Sequence, residues 1–461
     1  MADPELKAIH VKDEEFTYGG DDGEVLQCMI DLVRKNRDWK TIKLENCKGR
    51  IEFLLEAVMA SNVRRLIITS PEEDPFIYFP ALANGLTKST CKLLTLCLHN
   101  IPFTDENMAL LCQGLDTNTS VMELSFQQST FSLDGIHRGA HARLSQSLPN
   151  MKSLHQLSFQ NCNLTDVQSA SIVSSLIGLP SFIELSLDGN QCQTIAMNAL
   201  AKLLSHPNSS LLVLDLSSQK LPGHGQSLDL FEFSRSLSRS RLSCLQLSDN
   251  PISFKDLAWL AIGLQKSKSL KMLHLAWCKL GKDTVMEAFG KALSINDTLN
   301  SLVLYECEID DEGIAKFATY LPKMNGLRRL DLGGEQKFSD SQIENSMAPE
   351  LSRNLEMEEV VLRKCGSTNI LAYYCDLNRA GRRFFRFSEN TPVGLWPLIL
   401  GRITTMKMPL MYDPWLIAEK EEIESPPLPD EDHEREQTMR RASALFHLVR
   451  NSPLLATGIA R

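Results

Sequence analysis

The sequence lacks several features that define large classes of proteins. No stretch approaches the roughly 18 consecutive apolar residues of a membrane-spanning helix, and even residues 257–264 (LAWLAIGL) form only a short amphipathic stretch. Aromatic residues make up 7% of the chain, and its first 16 residues carry acids in place of the apolar core of a signal peptide. We therefore expect no membrane anchor and no export, and we expect a cytoplasmic protein, with the nucleus as the alternative.

The motifs that mark common catalytic and cofactor sites are also missing. The chain has no G-x-x-x-x-G-K-S/T loop, no G-x-G-x-x-G, no G-x-S-x-G, no H-E-x-x-H and no paired C-x-x-C motifs. His137 and His141 are four residues apart, as zinc ligands on a helix sometimes are, but a surface insertion is the simpler interpretation. The sequence thus predicts that the protein is not an enzyme and that it has no catalytic residue, no cofactor and no metal site.

The charge balance does not indicate a protein dedicated to a polyanion, although it leaves room for a local basic patch. The chain has 57 acidic and 48 basic residues and a net charge of −9 at pH 7. A protein dedicated to nucleic acid would be expected to carry a basic face. We therefore expect no nucleic-acid partner and no membrane partner.

What the sequence does contain is an internal repeat. The pattern L-x-x-L-x-L-x-x-C/N-x-L recurs along most of the chain, for example at residues 154–164 (LHQLSFQNCNL) and 270–280 (LKMLHLAWCKL). The first apolar residue of the central L-x-L occurs twelve times, at intervals of 24 to 33 residues that cluster near 28 to 30. These twelve positions are Ile42, Leu66, Leu96, Leu124, Leu157, Leu185, Leu214, Leu245, Leu273, Leu302, Leu330 and Val360. Chance clustering of apolar residues does not produce such regular intervals, so the sequence predicts a repeat array.

Each repeat unit contains the pattern of a strand followed by the pattern of a helix. The alternating L-x-L predicts a short strand with one buried face, and residues 195–210 and 254–269 have the spacing of amphipathic helices. Thr104 and Ser253 stand where helix-capping residues are expected. Because neither element buries its apolar face alone, we expect an α/β solenoid, a horseshoe with parallel strands on the concave face and helices on the convex face.

The ninth position of five units is a cysteine, and the units are about 28 residues long. These cysteines are Cys47, Cys162, Cys278, Cys307 and Cys365. Both features resemble the ribonuclease-inhibitor-like subclass of leucine-rich repeat proteins, which also includes Ran GTPase-activating proteins and the repeat domains of NOD-like receptors. The resemblance covers residues 39–366, about twelve repeats, and implies the horseshoe fold. A small buried side chain suits this position, which favours a structural role for the cysteines over a metal or redox cluster.

The segments before and after the array differ from it in composition. Residues 1–38 are predicted to form an N-terminal segment with a capping helix. Residues 39–366 are the array, and residues 367–418, which are aromatic and basic at their start, are predicted to be a C-terminal cap, with a second binding module as the alternative.

The last 43 residues are strongly charged at their start. Residues 419–461 are predicted to comprise an acidic linker and a short amphipathic helix, because residues 419–436 carry nine acids, two bases and three prolines. Arg440 and Arg441 precede Ser443 as in sites of basophilic kinases, which makes Ser443 a candidate phosphorylation site.

The register decides which side chains face a partner on the concave surface: those between and just after the two leucines of L-x-L. Most are small and polar, but one cluster on neighbouring repeats combines exposed aromatic rings with charges, as interaction hot spots do. The alternative is that Trp277 packs over its neighbours or against the C-terminal tail. The predicted partner-binding residues are His274, Trp277, Tyr305, Glu306, Arg329 and Arg363.

These observations favour a non-catalytic scaffold, a monomer or weak oligomer, that binds a protein partner on the concave surface of the repeats. The alternative is a regulator of a small GTPase. Ran GTPase-activating proteins carry an acidic stretch after their repeats, and residues 419–436 resemble that stretch.

Overall fold

The computed structural model describes residues 9–12, 15–18, 27, 30–31, 33–35, 39–45, 51–70, 79–132, 139–221, 227–281, 283–362 and 368–379. The strands are β1 (Ile9–Lys12), β2 (Glu15–Tyr18), β3 (Thr41–Glu45), β4 (Arg65–Thr69), β5 (Thr95–His99), β6 (Pro102–Phe103), β7 (Glu123–Gln127), β8 (Thr130–Phe131), β9 (Gln156–Gln160), β10 (Glu184–Ser186), β11 (Val213–Asp215), β12 (Cys244–Gln246), β13 (Met272–His274), β14 (Ser301–Val303), β15 (Arg329–Asp331) and β16 (Glu359–Val361). The helices are α1 (Glu52–Met59), α2 (Phe79–Leu86), α3 (Asp105–Asp116), α4 (Ala140–Ser147), α5 (Asp166–Ser175), α6 (Thr194–Ser205), α7 (Phe231–Ser236), α8 (Phe254–Lys266), α9 (Asp283–Leu293), α10 (Asp311–Ala318), α11 (Asp340–Gln342), α12 (Ala348–Arg353) and α13 (Thr368–Arg379).

The twelve repeats contribute neighbouring strands to one continuous sheet. Each strand from β2 onward pairs in parallel with the next, while β6 and β8 form a separate two-stranded sheet. The twelve predicted apolar positions lie opposite one another along the sheet, from Ile42 opposite Leu66 to Leu330 opposite Val360. The predicted α/β solenoid and its register are therefore confirmed.

The helices begin where the capping signals predicted. Thr104 accepts a hydrogen bond from the backbone N–H of Asn107 at the start of α3, and Ser253 accepts one from Asp256 at the start of α8. These side chains satisfy N–H groups that have no partner inside the helix. The helices pack side by side, α5 on α6 and α9 on α10 among them, and form the layer opposite the sheet.

The core lies between the sheet and the helices, along the whole array. Leucines of successive repeats are almost fully buried there, and each contributes roughly 1.5–3 kcal/mol to folding. In the first half, Phe103, Phe126, Phe131 and Phe159 replace some leucines, and their ring centroids lie 5.0 to 5.6 Å apart. Larger rings at these positions keep the first repeats filled even though their sequences depart from the leucine pattern.

A ladder of buried polar side chains satisfies the backbone where each strand turns toward its helix. At the ninth position, Cys162, Cys278 and Cys307 each donate from Sγ to a carbonyl of the preceding repeat, over 3.0 to 3.3 Å. Asn190 and Asn250 do the same with their amide groups. Burial raises the pKa of the Cys162 and Cys278 thiols to about 12, so these cysteines stay protonated and structural. Cys47 and Cys365 lie outside the described residues.

The N-terminal edge of the sheet differs from the prediction. Strands β1 and β2 form an antiparallel hairpin, and β2 pairs with β3, so a hairpin extends the sheet in front of the first repeat. Helical backbone is present within the predicted capping segment, where Ile30 and Val33 are buried. Beyond β16, α13 buries Leu371 and Leu377 at the last repeat, while the rest of the predicted C-terminal cap lies outside the described residues.

Among the described helices, none combines the length and the apolar character needed to cross a bilayer.

Candidate functional site

The eighth position of the repeats has an unusual backbone conformation. Its φ is close to +55° in most units, and its N–H donates to a carbonyl of the next repeat, as from Trp277 to Tyr305 over 2.8 Å. The residues at this position with positive φ are Asn100, Gln128, Asn161, Gly189, Ser218, Asp249, Trp277, Glu306 and Gly334. Only glycine adopts this left-handed conformation freely, and asparagine and aspartate tolerate it best among the others.

Trp277 is the outlier in this series. A bulky aromatic side chain stands where other repeats of the same chain carry glycine, asparagine, aspartate, serine, glutamine or glutamate. Its side chain is 54% exposed, although its Nε1 donates to Glu306 over 3.1 Å and its ring meets the Tyr305 ring edge-on, with centroids 5.3 Å apart. Trp277 thus packs on its neighbours and still presents more than half of its surface, and its role in partner binding stays a prediction.

Two glycines of the following repeat make room for this group. A Cβ atom at Gly334 would lie 2.1 Å from Cγ of Glu306, and one at Gly333 would lie 3.0 Å from the Tyr305 ring. Gly334 also has a φ of +78°, which disfavours any other residue. The sequence analysis missed these supporting residues, although the signal was present as two glycines at the seventh and eighth positions of that repeat.

The structure groups some of the predicted site residues and separates others. Trp277, Tyr305 and Glu306 lie in contact, and we call them the aromatic patch. His274 lies on the half-buried sheet surface of β13, opposite Val303 of β14. Arg329 lies one strand farther along.

The arginines near this patch are paired with glutamates, which neutralise most of their positive charge. Arg329 pairs with Glu359 over 3.5 Å, and Arg328 pairs with Glu358 and, over 3.8 Å, with Glu356. These arginines therefore link β15 to the last repeat. Arg363, the other predicted basic residue, and Ser443 lie outside the described residues.

An acidic strip runs along the middle of the concave surface. Residues 123–128, 156–161, 184–189, 213–218 and 244–249 contain five carboxylates and no lysine or arginine. The strip consists of Glu123, Glu184, Asp188, Asp215 and Asp249. Sequence reasoning overlooked the two glutamates, because it considered only positions after the first leucine, whereas the alternation of side chains also places the residue before it on this face.

The acidic strip is electrostatically strained. Burial raises the pKa of the Asp215 carboxyl, and the nearby charge of Asp188 adds to the effect. Burial also raises the pKa of Glu184, helped by repulsion from Glu123 and Asp215. A cationic group placed on this strip would relieve that repulsion.

Known proteins with similar sequences contain the same type of repeat. The ribonuclease inhibitor of Sus scrofa is 25% identical over 332 residues, and that of Mus musculus is 28% identical over 335 residues; each match covers 71% of this chain and 64% of the inhibitor. A NACHT, LRR and PYD domains-containing protein 5 of Mus musculus is 29% identical over 285 residues, which cover 61% of this chain and 24% of that protein. No protein-family model matches the chain.

The chain has a leucine-rich repeat fold whose repeats resemble those of the ribonuclease inhibitors. Its twelve strands in the predicted register and its similarity to these relatives support the same assignment.

This leucine-rich repeat protein spans less than two thirds of the length of each of these relatives. The hypothesis of a small-GTPase regulator rests on residues 419–436, which lie outside the described residues. Among the described residues, no group of three or more histidine, cysteine or acidic side chains is arranged to hold a metal ion. What the described surface offers is an exposed aromatic anchor beside a strip of negative charge.

Proposed function

We propose that this protein is a non-catalytic scaffold of the cytoplasm that binds a protein partner on its concave surface, with the aromatic patch as the anchor. The observation that supports this proposal is the exposed Trp277 at a left-handed backbone position. A non-glycine residue in this conformation costs about 1 kcal/mol or more, and bulky residues are the least suited to it. Such a residue, more than half exposed, is better explained by recognition than by folding.

The chemistry of the aromatic patch indicates which kind of partner surface would bind it. Trp and Tyr rings provide a large apolar contact with little loss of conformational entropy, which is why they dominate interaction hot spots. Glu306 holds the Trp277 indole in place and keeps a negative charge beside it. We infer a partner that places an apolar side chain on the two rings and basic side chains along the acidic strip.

Trp277→Gly tests the anchor while leaving the fold intact. Glycine already occupies the equivalent position at Gly189 and Gly334, so the change relieves the left-handed conformation while losing the ring contact with Tyr305. These effects oppose each other, and we expect the free energy of unfolding to change by no more than about 1 kcal/mol. Partner affinity should fall at least about thirtyfold, as it does when a central aromatic anchor is removed.

The measurement is titration calorimetry of the full chain with a partner first captured from a cytoplasmic extract and then purified. Because two relatives are named ribonuclease inhibitor, a purified ribonuclease is the first protein to titrate. The matched control is Phe53→Ala, which removes an equally exposed ring, 57% accessible, from helix α1 on the opposite face. Binding that survives Trp277→Gly unchanged would refute the assignment of the aromatic patch.

A further inference from the structure

The convex face carries a groove where one helix is shorter than its neighbours. Helix α7 has six residues, whereas α6 has twelve and α8 has thirteen, so the space above α7 is left open. Gly263 lets α8 approach α7 closely, because a Cβ atom there would lie 2.5 Å from the carbonyl oxygen of Ser234. Because α7 is short, an open depression of about 880 Å³ lies between α6 and α8, and we call it the convex groove.

One wall of the convex groove is apolar and aromatic. The rings of Phe231 and Trp259 meet edge-on with centroids 4.6 Å apart, and the Arg235 guanidinium lies 5.7 Å from the Phe231 ring. Ile262, 43% exposed, continues this wall. Exposed aromatic platforms of this kind accept proline-containing segments.

The rest of the lining is cationic. Lys202, Arg235, Arg239 and Lys266 line the groove, and Glu232, which pairs with Arg235 over 3.0 Å, is the one carboxylate among the lining residues. Within the described part of the chain, no carboxylate pairs with the other three cations. A surplus of three positive charges in a protein of net charge −9 points to an acidic occupant.

A polar atom at the groove is also left unsatisfied. Ser234 is 2% exposed, it lines the groove, and its Oγ has no hydrogen-bond partner among the described residues. Buried hydroxyl groups are normally hydrogen-bonded, so this one retains an unused hydrogen-bonding capacity at the wall of the groove.

We propose that residues 419–436 of the same chain dock in the convex groove. This segment carries nine acids and two bases, and its centre is Pro426-Pro427-Leu428-Pro429, so it combines the charge that the cations need with the prolines that the aromatic wall accepts. The proposal goes beyond the concave site and does not depend on it.

The geometry of the chain permits this docking. Residues 380–418 join α13 to the segment, and a chain of that length spans at most about 130 Å, which leaves a margin for part of it to fold as the predicted cap. Five helix-to-helix steps of about 10 Å each separate α13 from α7, a distance of roughly 50 Å. A tethered segment also has an effective concentration in the millimolar range, so several weak surface ion pairs are enough to hold it.

Zero-length carbodiimide cross-linking of the full chain, followed by peptide mass spectrometry, tests the proposal. The reagent joins a lysine amine to a carboxylate only where the two are in contact. We expect Lys202 and Lys266 to link to acids of residues 419–436 in monomeric protein, and we expect Lys291, an exposed lysine of α9, not to. Mixing of ¹⁴N- and ¹⁵N-labelled chains should yield links within one chain and not between chains.

A charge-reversal pair provides the control. Arg235→Glu with Arg239→Glu should lower the yield of these links about tenfold, since two surface contacts are lost and repulsion is added, whereas Lys291→Glu should leave it unchanged. Links that form equally at Lys291, that resist the double reversal, or that join different chains would overturn the proposal. Absence of any link from Lys202 and Lys266 to the segment would overturn it as well.

Discussion

Asp215 and Glu184 lie on the neighbouring strands β11 and β10, where Asp215 is buried and Glu184 is half-buried. Asp215 accepts hydrogen bonds from the Ser217 N–H over 3.0 Å and from the Ser186 hydroxyl over 3.4 Å, but burial outweighs this stabilisation and raises its pKa. A carboxyl whose folded pKa is raised contributes stability that is complete below its unfolded pKa and is lost as the pH rises through its folded pKa. The charged carboxylate therefore destabilises the fold at neutral pH.

We accordingly expect Asp215→Asn to be more stable than the unmodified protein at pH 7, by about 1 kcal/mol. The difference should shrink as the pH falls to about 3, below the ordinary aspartate pKa of about 3.9, where residue 215 is neutral in both proteins. Urea unfolding at the two pH values measures it. Asp297→Asn, at an exposed residue paired with Lys268 over 3.6 Å, is the control and should change little at either pH. An Asp215→Asn variant that is less stable at pH 7 would show that the hydrogen bonds outweigh the burial.

At the scale of the element, the buried polar side chains at the ninth position connect each strand-to-helix turn to the previous repeat by hydrogen bonds. The amide of Asn250 donates to the carbonyls of Leu216 and Leu247 and accepts from the N–H of Gln219. Cys278, at the same position one repeat later, donates one weak hydrogen bond to Leu247. The two side chains thus fill one structural position with very different numbers of hydrogen bonds.

This contrast predicts the cost of breaking the ladder at each position. Asn250→Ala leaves the Leu216 carbonyl and the Gln219 N–H without this partner and removes one of the two side-chain hydrogen bonds to the Leu247 carbonyl. It should lower the free energy of unfolding by about 3 kcal/mol or more, whereas Cys278→Ala should cost about 1 kcal/mol. Chemical denaturation of both variants beside the unmodified chain measures the difference. Equal costs would mean that packing, and not hydrogen bonding, sets the stability of these turns.

The elements also show how far the sequence determines the structure. The twelve strand positions and the caps at Thr104 and Ser253 could be predicted, because a buried leucine every second residue and a capping hydroxyl act locally. The N-terminal hairpin was missed because β1 and β2 are short and lack the leucine pattern. The short α7 was missed because its length depends on packing between α6 and α8.

The candidate site, too, could be predicted from the sequence only in part. The register alone placed Trp277, Tyr305 and Glu306 on one surface, as observed. Two other contacts join different repeats: Arg329 pairs with Glu359, and Gly334 leaves space for the Glu306 side chain. Such contacts depend on side-chain directions that a linear pattern does not contain.

The whole molecule presents two faces of opposite character. The concave face carries the acidic strip and the aromatic patch, and the convex face carries a cationic groove beside the ring pair of Phe231 and Trp259. A rigid array with separate surfaces can hold a partner on one face while a segment of its own chain occupies the other.

Hydrogen–deuterium exchange of the full chain with and without its purified partner tests the concave site most directly, because it reports on every part of the array at once. We predict slower exchange in peptides that cover residues 272–279 and 301–308, where the aromatic patch lies, and no change in α6, α7 and α8. Slower exchange confined to those three helices, with residues 272–308 unaffected, would contradict the assignment of partner binding to the concave face.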